Sequence, residues 1–261
     1  MDFFKIFDAY SLRARLFPAI IAAAPALAAL ALLISWKSFE LSNAIAILAL
    51  IVLLFAIADF ARARGRSIEP KLYDKQGGKP SIILFRRADS TIEEALKERY
   101  RQFLAGKLGI AAPSAAAEQV DQSAADSFYE QCGVWLRSNT RDTKNFPLIF
   151  GENVTYEFRR NLLGVKGIAI GLNLTVVAIC VARLWHSHWA WGSESGKRTI
   201  VVLLIAVLHA IYVCTAVRKR FVRDASRAYA RELILSCEAF IGSPGATKSR
   251  SSPRKRKTNV P

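Results

Sequence analysis

The chain has few of the side chains on which most enzyme sites depend. Its 261 residues include 4 cysteines and 3 histidines. No two cysteines form a Cys-x-x-Cys pair, which argues against both a zinc site and a disulfide framework. The sequence contains neither HExxH nor GxSxG, and no histidine precedes His186. We therefore expect no catalytic residues, no cofactor and no metal, and a protein that is not an enzyme.

Long apolar runs are what the sequence has in abundance. Residues 17–36 and 44–60 form two such runs with a short polar break between them, and residues 165–184 and 200–217 form two more. Each run can cross a hydrocarbon core of about 30 Å at about 1.5 Å per residue. Because the break is too short to return across a bilayer, each pair predicts an antiparallel hairpin. The expected fold is mainly α, an integral membrane protein with four transmembrane helices as two hairpins and a small helical cytosolic domain inserted between them.

Basic residues outnumber acidic residues, and the formal net charge is +16. On a soluble protein such a charge would suggest nucleic acid as a partner. Here, however, 33 of the 37 basic residues lie before the first run, between the two hairpins or after the last run. The positive-inside rule then places both termini and the middle segment in the cytosol. We expect a multi-pass protein of the bacterial inner (plasma) membrane, in contact with membrane lipids and without a nucleic acid partner.

These patterns divide the chain into six parts. They are a cytosolic interfacial helix (1–16), the first hairpin (17–60), a cytosolic helical domain (61–164), the second hairpin (165–217), a cytosolic helical stalk (218–241) and a disordered basic tail (242–261). A frayed terminus is an equal alternative for the first part. No helix breaker separates the third and fourth runs from their cytosolic neighbours, so we expect two continuous helices on which the domain packs.

Within the cytosolic domain, local patterns predict several elements. The short apolar run Ile82–Phe85 is the best candidate for a strand. The residues Ser90-Thr91-Ile92-Glu93 fit a capping box and predict a helix to about Leu104. Residues 123–138 predict a second amphipathic helix, and a third is expected to begin near Asn153.

Basic residues near a Gly-Gly turn suggest a site for a small anionic ligand. The candidate ligand-binding residues are Lys79, Arg86, Arg87, Arg159 and Arg160. The turn Gly77-Gly78 is not a phosphate loop, because Pro80 replaces the hydroxyl residue that would bind magnesium. The last two arginines join the site only if the fold brings them close. The alternative is a solvated basic face beside lipid headgroups.

Polar residues inside the apolar runs suggest an intramembrane layer. Asn173 and His209 lie near the middles of the third and fourth runs, and antiparallel packing brings them to the same depth. We expect a hydrogen bond or a shared polar layer there, with Thr175 as a member. Such groups mark functional sites or simply hold helices together. Gly167 and Gly171 form a G-x-x-x-G pattern that favours close helix contact, within the chain or in a homo-oligomer.

The outer loop and the basic tail each have two interpretations. In the loop, His186, His188 and Glu194 suit a metal, but the neighbouring tryptophans are typical of an interfacial aromatic belt, which we prefer. The tail contains the cluster Arg254, Lys255, Arg256 and Lys257. Beside a membrane it would attract anionic lipid, at about 1 kcal/mol per basic residue, and nucleic acid is the alternative.

Two stretches resemble an uncharacterised family of bacterial four-span inner-membrane proteins. They are KLYDKQGGKPSIILFRRAD and NFPLIFGENVTYEFRRNLLGVKGIAI, which together cover 45 of the 261 residues. The resemblance implies the same four-span architecture and no activity.

Three functions fit these features. The first is a non-enzymatic membrane effector or signalling module whose cytosolic domain binds a protein or a small anionic ligand and whose helices respond, as an oligomer that perturbs the membrane. The second is a scaffold that recruits cytosolic protein or nucleic acid through its basic segments. The third is a small channel or transporter, for which only Asn173, Thr175 and His209 offer a polar path.

Overall fold

The computed structural model describes residue 10, residues 12–33 and residues 43–242, and these are mainly helical without strands. A π-helical turn, Leu12–Leu16, leads into the first α-helix. The helices are α1 (Phe17–Leu33), α2 (Asn43–Asp74), α3 (Pro80–Ile83), α4 (Glu94–Leu108), α5 (Ala115–Val120), α6 (Gln122–Asn139), α7 (Pro147–Gly164), α8 (Lys166–His186), α9 (Glu194–Thr215), α10 (Lys219–Leu235) and α11 (Cys237–Ile241).

Three helices in the described part of the chain are long and apolar enough to cross a membrane: α1 with the turn before it, α8 and α9. They pack on one another through small side chains. Ala19 and Ala22 of α1 are buried in one cluster with Ala169 of α8 and Val213 of α9. The first apolar run, which is rich in alanine, therefore packs against two other helices, since small residues let helix backbones approach closely.

The helix α2 contains the predicted second span and continues well beyond it. Its 32 residues extend about 48 Å at about 1.5 Å per residue, compared with about 30 Å for a hydrocarbon core. The side chains at its beginning lie outside the described residues, and the prediction that α2 crosses the membrane stays a prediction. Its second half packs along α7, so one helix joins the predicted membrane segment to the domain that the charge pattern predicts to be cytosolic (called the cytosolic domain below).

The expected continuity of the third and fourth spans with cytosolic helices is wrong. Helix α7 ends at Gly164 and α8 begins at Lys166, with Val165 between them. Helix α9 ends at Thr215, and the extended backbone of Arg218 (φ −130°, ψ 150°) separates it from α10. Lys166 Nζ donates to the carbonyl oxygen of Val217 at 2.8 Å. Val217 lies beyond the C-cap of α9, so this bond joins the start of α8 to the segment that links α9 to α10.

The cytosolic domain has one apolar core formed by α3, α4, α6, α10 and α11. Phe85, Tyr100, Tyr129, Leu136 and Leu233 are fully buried in it. The predicted helix over residues 123–138 is confirmed, with Gln122–Asn139 observed. Helices α10 and α7 pack against each other extensively, and this contact joins the domain to α7, which leads into the membrane-spanning candidate α8.

Two local predictions in this domain are wrong. Residues Ile82–Phe85 form the end of α3 and a turn instead of a strand, because Pro80 occupies the first turn of a helix, where proline is favoured. Helix α4 begins at Glu94 and extends to Leu108, so Ser90 and Glu93 form no capping box. The carboxylate of Asp89 accepts the backbone N–H of Thr91 instead, at 2.9 Å.

Candidate functional site

Two of the predicted anion ligands, Arg86 and Arg87, are occupied by carboxylates of the domain itself. Arg86 donates to both oxygens of Asp126, at 2.9 and 2.7 Å. Arg87 donates to Glu118 at 2.8 Å and to Glu98 at 2.9 Å. Paired, charge-assisted bonds of this kind fix the position of a side chain. The two arginines therefore hold the segment after α3 on α4, α5 and α6, and their part in ligand binding stays a prediction.

Two further cations, Lys97 and Arg101, are fully buried beneath the same segment. Lys97 Nζ donates to the carbonyl oxygen of Arg86 at 2.7 Å. Arg101 Nη2 donates to the carbonyl oxygen of Phe85 at 2.9 Å, and its Nη1 reaches the carboxylates of Glu94 and Glu98 at 2.8 and 2.7 Å. Buried charges need such partners. These residues hold the turn after α3 in place, a role that the sequence does not reveal.

The Glu118 carboxylate is nearly buried at the centre of this network. Burial alone would raise its pKa, but hydrogen bonds from Tyr129 and Arg87 outweigh burial and hold the pKa below its usual value. The Tyr129 hydroxyl donates to Glu118 at 2.6 Å. Glu118 is therefore ionised at neutral pH and serves as an internal counterion.

A cavity of about 250 Å³ lies where the cytosolic domain meets α2 and α7. Its walls come from α2, α3, α6, α7 and α10. Three cations line it, namely Lys79, Arg137 and Arg160, and so do two carboxylates, those of Glu69 and Glu157. Three positive charges minus two negative charges leave +1 on the lining. The fold thus brings together two of the five predicted ligands, Lys79 and Arg160.

At this cavity, two of the cations converge on one oxygen atom. Lys79 Nζ lies 2.7 Å from Glu130 Oε1, and Arg137 Nη2 lies 3.7 Å from the same oxygen. About half of the Lys79 side chain remains exposed. Both cations therefore share one carboxylate oxygen, and Glu130 itself is not among the residues that line the cavity.

The inner wall of the cavity is polar but closely packed. Arg160 donates to Glu69 at 2.7 Å, and Glu157 lies 3.7 Å away on its other side. The hydroxyls of Tyr73 and Tyr156 lie 2.7 Å apart, and the Tyr156 ring stacks on Tyr229 with 6.4 Å between centroids. Burial raises the pKa of Tyr156 to about 12, so the phenol stays neutral and can donate a hydrogen bond.

Sequence reasoning missed Arg137 and the tyrosines of this cavity. Arg137 lies in the last turn of α6 and far from the Gly-Gly turn in sequence. Tyr73 and Tyr156 are 83 residues apart. Arg159, in contrast, points away from the cavity and donates to the carbonyl oxygen of Phe221 at 3.1 Å. The adjacent arginines therefore belong to different surfaces of α7.

The intramembrane hydrogen bond is present. Asn173 Nδ2 lies 2.8 Å from His209 Nδ1 and 2.8 Å from the carbonyl oxygen of Ala206, and both side chains are buried. The predicted place of Thr175 in this layer is wrong. Its side chain is exposed and donates to the carbonyl oxygen of Gly171 at 3.0 Å, because it lies on the opposite face of α8. The layer joins α8 to α9 within the chain.

The remaining candidate residues belong to the loop between α8 and α9 and to the C-terminal tail of the sequence. In the outer loop, Trp185, Trp189 and Trp191 are exposed, as an interfacial belt requires. Histidine, cysteine and acidic side chains form no cluster of three among the described residues, so the alternative of a metal at His186 and His188 gains no support. The tail cluster Arg254–Lys257 lies outside the described residues.

No family model matches the chain, no curated protein is significantly similar to it in sequence, and no solved structure is significantly similar to its fold.

Proposed function

We propose that the protein is a membrane effector or signalling module in which a small anionic ligand binds the cytosolic cavity and acts on the membrane helices. The observation that carries the proposal is the convergence of Lys79 and Arg137 on one oxygen position. Both side chains are partly exposed, unlike the arginines in the core, so a ligand can reach them. An anion with two or more oxygens would contact this pair and the donors deeper in the cavity.

The helix α2 is the element through which binding would act. Glu69 and Tyr73, near its end, form part of the cavity wall. The same helix extends back without interruption to Asn43. We propose that α2 also crosses the membrane. A ligand that displaces Glu130 would then also shift the contacts of a membrane helix. Coupling requires an element with two arrangements that both sites bias, and α2 with its α7 contact is our candidate.

The same proposal includes a homo-oligomer. Ideal Cβ atoms added to Gly167 or Gly171 of α8 would meet nothing within 4 Å, so the described residues leave the G-x-x-x-G surface uncovered. A second copy of α8 would cover it and bring two cytosolic cavities into one assembly. The basic tail supplies the scaffold alternative, in which charge reversal of Arg254–Lys257 abolishes recruitment.

A double substitution of the exposed cations tests ligand binding. The wild-type protein, purified in detergent, should carry a small anionic species in its native mass spectrum, and Lys79→Gln with Arg137→Gln should lose it. The loss follows because two charge-assisted hydrogen bonds are removed, each with about 1.5–3 kcal/mol. Glu130→Gln should retain the species more tightly, because the internal competitor is neutralised.

The matched control removes the same charge nearby. Arg141 and Lys144 follow α6, are exposed and do not line the cavity. Arg141→Gln with Lys144→Gln should therefore keep the bound species. A wild-type spectrum that shows the bare protein, or equal retention in both double variants, would contradict the proposal.

A further inference from the structure

A second groove, of about 460 Å³, lies at the cytosolic end of α9 and is separate from the cavity of the proposed function. Its walls are formed by the second half of α7, the last turn of α9 and the first turn of α10. Aromatic and aliphatic side chains, including Phe158, Tyr212 and Phe221, form most of its surface. Two arginines complete it, Arg159 and Arg218, and no carboxylate lines it.

The two arginines differ from those of the core in having no acidic partner. Arg159 Nη1 donates to the carbonyl oxygen of Phe221 at 3.1 Å, and its guanidinium lies 5.9 Å from the Phe221 ring centroid. Arg218 Nε donates to the carbonyl oxygen of Cys214 at 3.2 Å. Neither forms an ion pair with any carboxylate among the described residues. Both guanidinium groups thus keep donors for an anion in an apolar setting, where such bonds are strong.

The groove lies at the level where the ends of α8 and α9 would meet the membrane surface. Helix α9 ends at Thr215, and the hydrogen bond from Lys166 to Val217 aligns its end with the start of α8. The cytosolic ends of two membrane-spanning candidates therefore meet at this level. This is where the phosphate groups of a cytosolic leaflet lie, next to the hydrocarbon core.

An apolar track leads from the groove along α9. Leu208, Ile211 and Tyr212 are exposed, and with Thr215 they recur at the spacing of one helix face. Tyr212 and Thr215 line the groove, whereas Leu208 and Ile211 continue toward mid-membrane. An acyl chain can lie on this track while its headgroup occupies the groove.

We infer that this groove binds the headgroup of an anionic phospholipid, with the phosphodiester between Arg159 and Arg218 and an acyl chain on α9. The planar guanidinium group matches phosphate geometry. The Phe221 ring, which is exposed, adds a cation–π contact with the Arg159 guanidinium at the edge of the site. Because Arg218 is the extended residue between α9 and α10, a lipid bound there also fixes the angle at which the cytosolic helix leaves the membrane.

Native mass spectrometry with added lipid tests the inference. The wild-type protein, spiked with phosphatidylglycerol, should retain it, and an equal amount of phosphatidylcholine should be retained much less. Arg159→Gln with Arg218→Gln should lower phosphatidylglycerol affinity by about tenfold or more, since two charge-assisted bonds are lost. The control Lys219→Gln with Arg220→Gln removes the same charge from neighbouring exposed positions and should retain the lipid.

Two further comparisons separate the alternatives. If the double variant fails to fold, Arg218→Gln alone suffices, because that side chain bonds only to the preceding helix turn and its loss should still reduce retention. Retention of inorganic phosphate without phosphatidylglycerol would contradict a lipid as the occupant. Equal retention of both lipids, or an equal loss in the control variant, would show attraction to a general basic surface and would overturn the site.

Discussion

Replacing Arg101 with methionine should lower the free energy of unfolding of the cytosolic domain by about 3 kcal/mol. The side chain is fully buried and carries two hydrogen bonds to the carbonyl oxygen of Phe85, at 3.2 and 2.9 Å. Without it, that buried carbonyl has no side-chain donor. Glu94 and Glu98 also lose a partner, but they are partly exposed and can regain water, so the lower part of the range expected for broken buried pairs applies.

Pulse proteolysis of the full-length protein in urea measures this change. The control is Lys107→Met on the same helix, an exposed residue whose ammonium lies 5.4 Å from the Phe103 ring centroid. It should cost less than about 1 kcal/mol, the usual size of an exposed cation–π contact. If Arg101→Met were as stable as the control, the buried cations would not hold the turn after α3.

Replacing Gly164 with alanine should separate α7 from α2. A Cβ added at Gly164 would lie 2.5 Å from the backbone nitrogen of Gly65, closer than any real contact, and the obstacle is backbone that cannot rotate away. A Cβ at Gly65 would collide in turn with Asn161. Overpacking of this kind typically costs about 1–3 kcal/mol. We expect a lower thermal midpoint for the detergent-purified protein and faster amide exchange in both helices.

Gly151 gives the matched control for this substitution. It lies in the same helix, and a Cβ there would meet nothing within 4 Å. Gly151→Ala should therefore be neutral, or stabilising by up to about 1 kcal/mol, because alanine favours a helix over glycine. Equal effects of the two substitutions would mean that the close crossing of α7 and α2 contributes nothing to stability.

The helices that are long and apolar enough to cross a membrane follow from the sequence more directly than the rest of the fold. Runs of apolar residues indicate them, because a membrane requires a minimum length of such residues. Their mutual packing also follows in part. Asn173 and His209 are predicted to meet because antiparallel helices place equal distances from a turn at equal depth, and they do meet.

Helix continuity is less accessible to sequence reasoning. The stretches around Val165 and Arg218 contain no proline, and both predict unbroken helices. The breaks arise from tertiary contacts, including the Lys166–Val217 bond and the close approach of Gly164 to Gly65. The second span, in contrast, continues as one helix through Pro70, a residue that usually ends or kinks a helix.

The residues that line the cavity also depend on tertiary contacts, so the sequence does not predict them fully. Charge alone placed Lys79, Arg86 and Arg87 together, but charge does not show which cations have partners. Asp126 pairs with Arg86 and Glu118 pairs with Arg87, and both carboxylates belong to helices that are distant from these arginines in sequence. Arg137 becomes a candidate only when α6 lies beside α3.

Hydrogen exchange in lipid nanodiscs tests the central claim, that binding in the cytosolic cavity acts on α2. The comparison is between the wild-type protein as purified and the Lys79→Gln, Arg137→Gln variant, with Arg141→Gln, Lys144→Gln as control. We predict that the wild type and the control show slower exchange at the cavity end of α2, near Glu69 and Tyr73, and that this protection extends along the helix to residues 52–62. Protection confined to the cytosolic domain, or identical exchange in all three proteins, would contradict the account.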